Sequence, residues 1–97
     1  MAKVFVCIRA TTYDWSQGGT SSYLSIDIEK VAGTVEVAEK WLNKMRNSAP
    51  ETFHYWQRNV VYEEWDRGEL YIVRFENEYN NSITDVRYYI EEHEIEG

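Results

Sequence analysis

One segment has the pattern of an amphipathic helix, and the segments on both sides of it alternate like strands. Over residues 34–47, TVEVAEKWLNKMRN, apolar residues recur at the i, i+3, i+4, i+7 spacing of a single helix face: Ala38, Trp41, Leu42 and Met45. Thr34 stands at the start and can cap the first turn. Because this is the one long helix that the pattern supports, the core must be closed by packing it against a sheet.

Two strands are predicted before this helix. Residues 3–10, KVFVCIRA, are mostly apolar on both faces, which indicates an inner strand. Residues 22–29, SYLSIDIE, alternate strictly, so we expect a strand antiparallel to the first whose apolar side chains face the helix: Leu24, Ile26 and Ile28. The connection over residues 11–21 is predicted to be a long loop that carries Tyr13 and Trp15. These two rings either contact a partner or fold back to cap the core.

The segment directly after the helix allows two interpretations. Residues 48–51, SAPE, match a capping box with proline in its first turn, which favours a short second helix through about Trp56. Phe53 and Trp56 would then pack beneath the first helix. The alternative is that this region forms one long strand. We favour the helical turn, followed by a strand from about Asn59.

Three strands and two turns are predicted in the remainder of the chain. Residues 60–65 and 69–78 flank a turn that contains Gly68, and residues 85–92 follow a second turn at Asn80, which together describe an antiparallel meander. The sequence thus predicts a single α+β domain over residues 1–97. It has an antiparallel sheet of about five strands, one main helix packed on one face and a short second helix.

Acidic residues are concentrated in the last two-fifths of the chain. The formal net charge is −7; residues 1–59 carry seven Lys or Arg and six Asp or Glu, whereas residues 60–97 carry three Arg and eleven Asp or Glu. This balance disfavours direct binding to nucleic acid or to an anionic membrane. It indicates a basic protein as the partner. The alternative is a surface whose acids only keep the protein in solution.

The residue types that support catalysis do not form a recognisable site in the sequence. Cys7 lies inside an apolar strand, where a small hydrophobic role is usual. His54 lies in an aromatic cluster and His93 lies among glutamates, which is typical of a solvated histidine. Gly18 and Gly19 lack the lysine and spacing of a phosphate-binding loop, and no metal-binding motif is present. We therefore predict that the protein is not an enzyme and binds no cofactor or metal.

The N-terminal segment, MAKVFVCIRA, is too short and too charged to be a signal peptide, and no apolar run is long enough to cross a membrane. A single cysteine cannot form an internal disulfide. These features predict a cytoplasmic protein with no membrane partner.

The acids on or between the last three predicted strands are the candidate partner-binding residues. If these strands are adjacent, their carboxylates gather on one region of the sheet, with alternate residues about 6.6 Å apart. Aromatic residues are interleaved with them and either join the interface or fill the core: Tyr62, Trp65, Tyr71, Tyr79 and Tyr89. The predicted partner-binding set comprises Glu63, Glu64, Asp66, Glu69, Glu76, Glu78, Asp85, Glu91 and Glu92, with Tyr13 and Trp15.

In length, negative charge and the acidic segments VVYEEWDRGE and VRYYIEEHEIE, the chain resembles the small acidic anti-CRISPR proteins that phages make. It is most similar in character to inhibitors that occupy nucleic-acid surfaces of a Cascade-type surveillance complex. No shared motif is involved. The resemblance implies a non-enzymatic inhibitor, active in the host bacterial cell, whose acids mimic DNA and contact basic residues of the complex. The alternatives are an immunity protein for a basic nuclease and a structural or assembly protein of a phage or bacterial complex.

Overall fold

The computed structural model describes residues 2–14, 22–54, 58–66, 70–77 and 82–95. These residues form five strands and one helix. In chain order the elements are β1 (Ala2–Asp14), β2 (Ser22–Ala32), α1 (Val35–His54), β3 (Arg58–Asp66), β4 (Leu70–Asn77) and β5 (Ile83–Ile95).

All five strands belong to one antiparallel sheet in the order β2-β1-β5-β4-β3. The predicted α+β fold, with about five antiparallel strands and the main helix on one face, is confirmed. Because side chains alternate along each strand, the sheet has a helix face, which α1 covers, and an open face on the other side. Strands β3, β4 and β5 are adjacent, as the predicted meander requires.

The helix face holds the core. Ala38, Trp41 and Leu42 of α1 are buried against strand residues that include Tyr71, Val73, Phe75, Val86 and Tyr88. The predicted helical stripe is therefore confirmed, with Met45 partly buried at its end. The backbone N–H of Val37 donates to Oγ1 of Thr34 at 3.4 Å, so Thr34 caps the helix as predicted.

Aromatic rings link the helix to the middle of the sheet. Trp41 meets Tyr88 edge to face, Tyr88 stacks on Tyr71, and Tyr71 meets Trp65 edge to face, with ring centroids 6.1, 5.9 and 6.1 Å apart. The guanidinium of Arg46 lies 4.6 Å from the Trp65 ring centroid and ends the series. Trp65 and Tyr71 thus pack with the core, which was one of their two predicted roles.

The expectation that Leu24, Ile26 and Ile28 face the helix is wrong. These side chains are 59, 60 and 67% exposed. Their orientation follows from the register, because Arg9 is paired with Asp27 and also binds it at 3.2 Å on the helix face. Alternation then directs the neighbouring isoleucines to the open face. The sequence pattern separated the two faces correctly but did not show which of them meets the helix.

The segment after residue 47 also differs from the prediction. Helix α1 is continuous from Val35 to His54, so residues 48–54 extend it and no separate second helix begins there. Pro50 lacks a backbone N–H, which costs one helical hydrogen bond without ending the helix here. Ser48, the predicted cap, donates through its hydroxyl to the carbonyl of Lys44 at 2.8 Å. The expected packing of Phe53 and Trp56 lies outside the residues whose side chains are described.

The first and last strands are longer than predicted. Strand β1 continues to Asp14, so residues 11–14 are paired strand rather than loop. Strand β5 ends at Ile95 and lies inside the sheet, between β1 and β4. Beyond Tyr89, which pairs with Leu70 of β4, β5 pairs only with β1 among the described residues.

Candidate partner-binding surface

Strand β3 is an edge strand, and its carboxylates form an acidic rim, defined here as Glu63, Glu64 and Asp66. All three side chains are exposed. Alternation and register place Glu64 and Asp66 on the open face and Glu63 on the helix face. A protein approaching this edge from the side would therefore meet carboxylates from both faces. Among the described residues, no cation forms an ion pair with any of the three.

Glu64 and Glu63 each accept a hydrogen bond from a tyrosine. The exposed hydroxyl of Tyr62 donates to Oε2 of Glu64 at 3.2 Å, and the Glu64 charge raises the pKa of Tyr62. The hydroxyl of Tyr71 donates to Oε1 of Glu63 at 2.6 Å. Burial and this bond raise the pKa of Tyr71. Glu63 is thus anchored to the core, whereas Glu64 is held only by a surface contact.

Three further predicted acids, Glu76, Asp85 and Glu91, lie on the open face. Asp85 is paired with an arginine and Glu91 with a histidine. Asp85 accepts two hydrogen bonds from Arg74, at 2.6 and 3.0 Å. This pairing raises the pKa of Arg74. Glu91 lies 3.0 Å from Nε2 of His93. Glu76 is half-buried near the other end of β4 and has no ion pair among the described residues.

Glu92 lies on the helix face of the β5 extension, defined here as residues 90–95, and pairs with Lys3 at 3.5 Å. The adjacency of β3, β4 and β5 therefore brings the acids into one region, but strand alternation divides them between two faces. Partner side chains also neutralise Asp85 and Glu92. The rim carboxylates Glu64 and Asp66 are exposed on the same face, and neither forms an ion pair with a cation among the described residues.

The remaining predicted residues do not join the rim. Glu69, Glu78, Trp15 and the aromatic Tyr79 lie outside the described residues. Tyr13 is half-buried in β1, opposite Tyr23 and Thr84, and is not part of a loop. Tyr62 is 50% exposed beside the rim, and Tyr89 is half-buried on the open face.

The sequence interpretation does not identify an apolar surface that lies on the open face. We define the aliphatic patch as the open-face residues of β1 and β2 around Ile8, which is itself only 6% exposed: Val4, Val6, Ala10, Leu24, Ile26, Ile28 and Val31. Beside it lies a groove of about 490 Å³ whose lining includes Leu24, Tyr62, Ile72 and Arg87. The strict alternation of residues 22–29 indicates this apolar row, but it does not show that the row lies on the open face.

The residues with catalytic or metal-binding chemistry are placed as follows. Cys7 is fully buried in the core, and burial raises the pKa of its thiol while nearby Lys30 acts to lower it. The side chain of His54 lies outside those described, and His93 is exposed on the β5 extension. Within the described ranges, His, Cys, Asp and Glu form no group of three or more that could hold a metal ion.

The described helix is not long and apolar enough to cross a membrane.

Comparison with known proteins assigns no family. No protein-family model matches the sequence, and searches of curated proteins and of solved structures found no match.

Proposed function

We propose that this protein is a non-enzymatic inhibitor that binds a basic nucleic-acid-handling complex through the acidic rim. The observation that carries the proposal is the position of Glu64 and Asp66, exposed on one face of an edge strand and unpaired with any cation in the described chain. Carboxylates that form no ion pair within the protein are available to lysine and arginine side chains of a partner.

The spacing of the rim supports mimicry of a nucleic-acid backbone. Glu64 and Asp66 are alternate residues on β3, so their positions are about 6.7 Å apart along the strand. That is about twice the axial step of about 3.4 Å between phosphates of one DNA strand. Basic side chains that bind every second phosphate could therefore bind both carboxylates.

The sign and distribution of charge support a basic partner over any other. Residues 60–97 carry eleven acids and three arginines. Strands β3, β4 and β5 place the described acids of this segment within three neighbouring strands. Such a field increases the rate of encounter with a basic surface and repels nucleic acid itself.

We propose that the partner is a CRISPR surveillance complex of the Cascade type, which the protein binds in the cytoplasm of a host bacterium. A basic nuclease neutralised by an immunity protein is the alternative, because the same carboxylates would serve. Occupation of the basic channel would block DNA binding without any chemical step.

The test is a competition assay with a purified surveillance complex, its guide RNA and labelled target DNA. We expect the protein to displace DNA, and the double variant Glu64→Lys/Asp66→Lys to lose at least about tenfold in potency. Glu63 is left unchanged because its carboxylate binds Tyr71.

The control is Glu36→Lys, a single charge reversal in the first turn of α1. Lys40, one turn further along, lines a groove beside β2, and β2 is the edge of the sheet opposite the rim. The control should retain potency. Equal potency of the double variant and the wild type would contradict the proposal. It would leave the rim acids with the role of keeping an edge strand from pairing with other chains.

A further inference from the structure

We infer that the groove between β2 and α1 is a second binding site, which takes an acidic, amphipathic peptide segment of a partner protein. The groove has a volume of about 590 Å³, and its lining includes three of the four lysines in the sequence. We call it the lysine groove and define it by these lysines and by its apolar floor: Lys30, Lys40 and Lys44, with Val37, Trp41 and Met45. The lysines are thus concentrated at one place in a chain whose net charge is −7.

The three lysines of the groove form no ion pair with any described residue. Lys3, the remaining lysine, does form one, with a glutamate of the β5 extension. Glu29 also lines the groove, but its carboxylate lies 3.2 Å from the guanidinium of Arg9. The ammonium groups of the groove are therefore available to carboxylates of a partner.

The floor between the lysines is apolar and partly open to water. Val37, Trp41 and Met45 lie one helical turn apart along α1, so this row is about 12 Å long. Val37 is 39% exposed, and Met45 is only partly buried. An apolar floor favours a ligand that carries apolar groups as well as charge, because a bare inorganic anion would leave the floor in water.

The positions of the lysines suit an extended peptide. Lys40 and Lys44 are about 6 Å apart along the helix axis, and Lys30 lies across from them on the helix face of β2. Alternate side chains of an extended peptide are about 6.6 Å apart, so carboxylates two residues apart match Lys40 and Lys44. Side chains between them point the other way, towards the floor, while the exposed lysines keep their ammonium groups at the edges of the groove.

The net charge of the protein favours a ligand with few negative charges. Nucleic acid and anionic membranes present many charges, and a chain of −7 repels each of them. Three lysines can neutralise a peptide that carries two or three carboxylates. The acidic rim adds little repulsion, because it lies at the opposite edge of the sheet, four strand spacings or about 19 Å from β2. The Debye length at physiological ionic strength is about 8 Å.

The test is an NMR titration of the isotope-labelled full chain with a capped peptide of sequence Glu-Leu-Glu-Leu-Glu. We expect amide shift changes centred on residues 37–45 and a dissociation constant of about 10 to 300 μM. Lys40→Gln/Lys44→Gln should raise this constant at least about fivefold, and glutamine preserves helix propensity. The matched control is Lys3→Gln/Arg87→Gln, which also removes two positive charges but outside the groove. It should bind like the wild type.

Three further probes separate this ligand from other anions and from apolar peptides. Gln-Leu-Gln-Leu-Gln has no charge, Glu-Ser-Glu-Ser-Glu has no apolar side chain, and tripolyphosphate is a bare anion. Each should bind at least about fivefold more weakly than the Glu-Leu peptide. Tripolyphosphate that binds as tightly as the peptide would overturn the inference, since the apolar floor would then have no role.

The inference would also be overturned by a Glu-Leu peptide that does not bind at about 1 mM, or by shift changes that lie away from the groove. Equal affinity of Lys40→Gln/Lys44→Gln and the matched control would do the same. The rim variant Glu64→Lys/Asp66→Lys should bind the peptide at least as tightly as the wild type. Failure of the proposed inhibitor function therefore leaves this site intact, and failure of this site leaves the rim intact.

Discussion

The hydroxyl of Tyr71 donates to Oε1 of Glu63 at 2.6 Å and so joins a fully buried ring to a carboxylate of the acidic rim. Tyr71 also stacks on Tyr88 and meets Trp65 edge to face. The edge strand is therefore fastened to the core beneath the helix at the point where the rim begins. Rim geometry and core packing depend on each other through this contact.

Removing the Tyr71 hydroxyl should destabilise the fold. We expect Tyr71→Phe to lower the free energy of unfolding by about 1 to 2 kcal/mol, below the usual range for a charged acceptor because the exposed Glu63 carboxylate can regain water. The control is Tyr62→Phe, whose hydroxyl binds Glu64 at the surface and whose loss should change stability little. Urea unfolding followed by tryptophan fluorescence measures both. Equal effects would show that the Tyr71 bond has no special role.

The orientation of β2 gives a second prediction, which compares alanine substitutions of a buried and an exposed aliphatic side chain. Leu42 is fully buried, whereas Ile26 is 60% exposed. We expect Leu42→Ala to cost about 2 to 5 kcal/mol, from lost apolar burial and the cavity that remains. Ile26→Ala should cost less than about 1 kcal/mol. If Ile26→Ala destabilised the protein as much as Leu42→Ala, the apolar row of β2 would face the helix after all.

The helix and the antiparallel meander follow from local patterns, which is why the sequence predicts them. The i, i+3, i+4, i+7 spacing of α1 and the alternation of β4 each encode one buried face. By contrast, the face of β2 depends on the Arg9–Asp27 register, a contact between two strands that no local period contains.

The acidic surface was only partly predictable for the same reason. The sequence identifies the acids of residues 60–97, but strand alternation separates Glu63 from Glu64. The distant partners Lys3 and Arg74 decide which carboxylates are neutralised.

High pH should unfold the protein through its buried tyrosines. Burial raises the pKa of Tyr88 from 10.0 to about 12, with Glu29 acting in the same direction and Arg9 opposing it. Below pH 10 both states are protonated and the shift has no effect on stability. Between pH 10 and about 12 only the unfolded chain releases this proton, so stability falls as pH rises, at up to about 1.4 kcal/mol per pH unit for this residue.

Urea unfolding at several pH values in this window measures the loss, and the matched variant is Tyr88→Phe. The variant should lose stability less steeply with pH than the wild type. Tyr71, whose pKa is also raised, maintains part of the slope. An unchanged slope in Tyr88→Phe would show that Tyr88 titrates alike in the folded and unfolded chains.

The most direct measurement of the central claim is the affinity of the surveillance complex for the wild type and for Glu64→Lys/Asp66→Lys, from about 50 to about 300 mM NaCl. We predict that wild-type binding weakens steeply with salt. The double variant should bind at least about tenfold more weakly at low salt, with a shallower salt dependence. Glu36→Lys should behave as the wild type. A double variant that keeps both the wild-type affinity and the wild-type salt dependence would contradict the acidic rim as the binding surface.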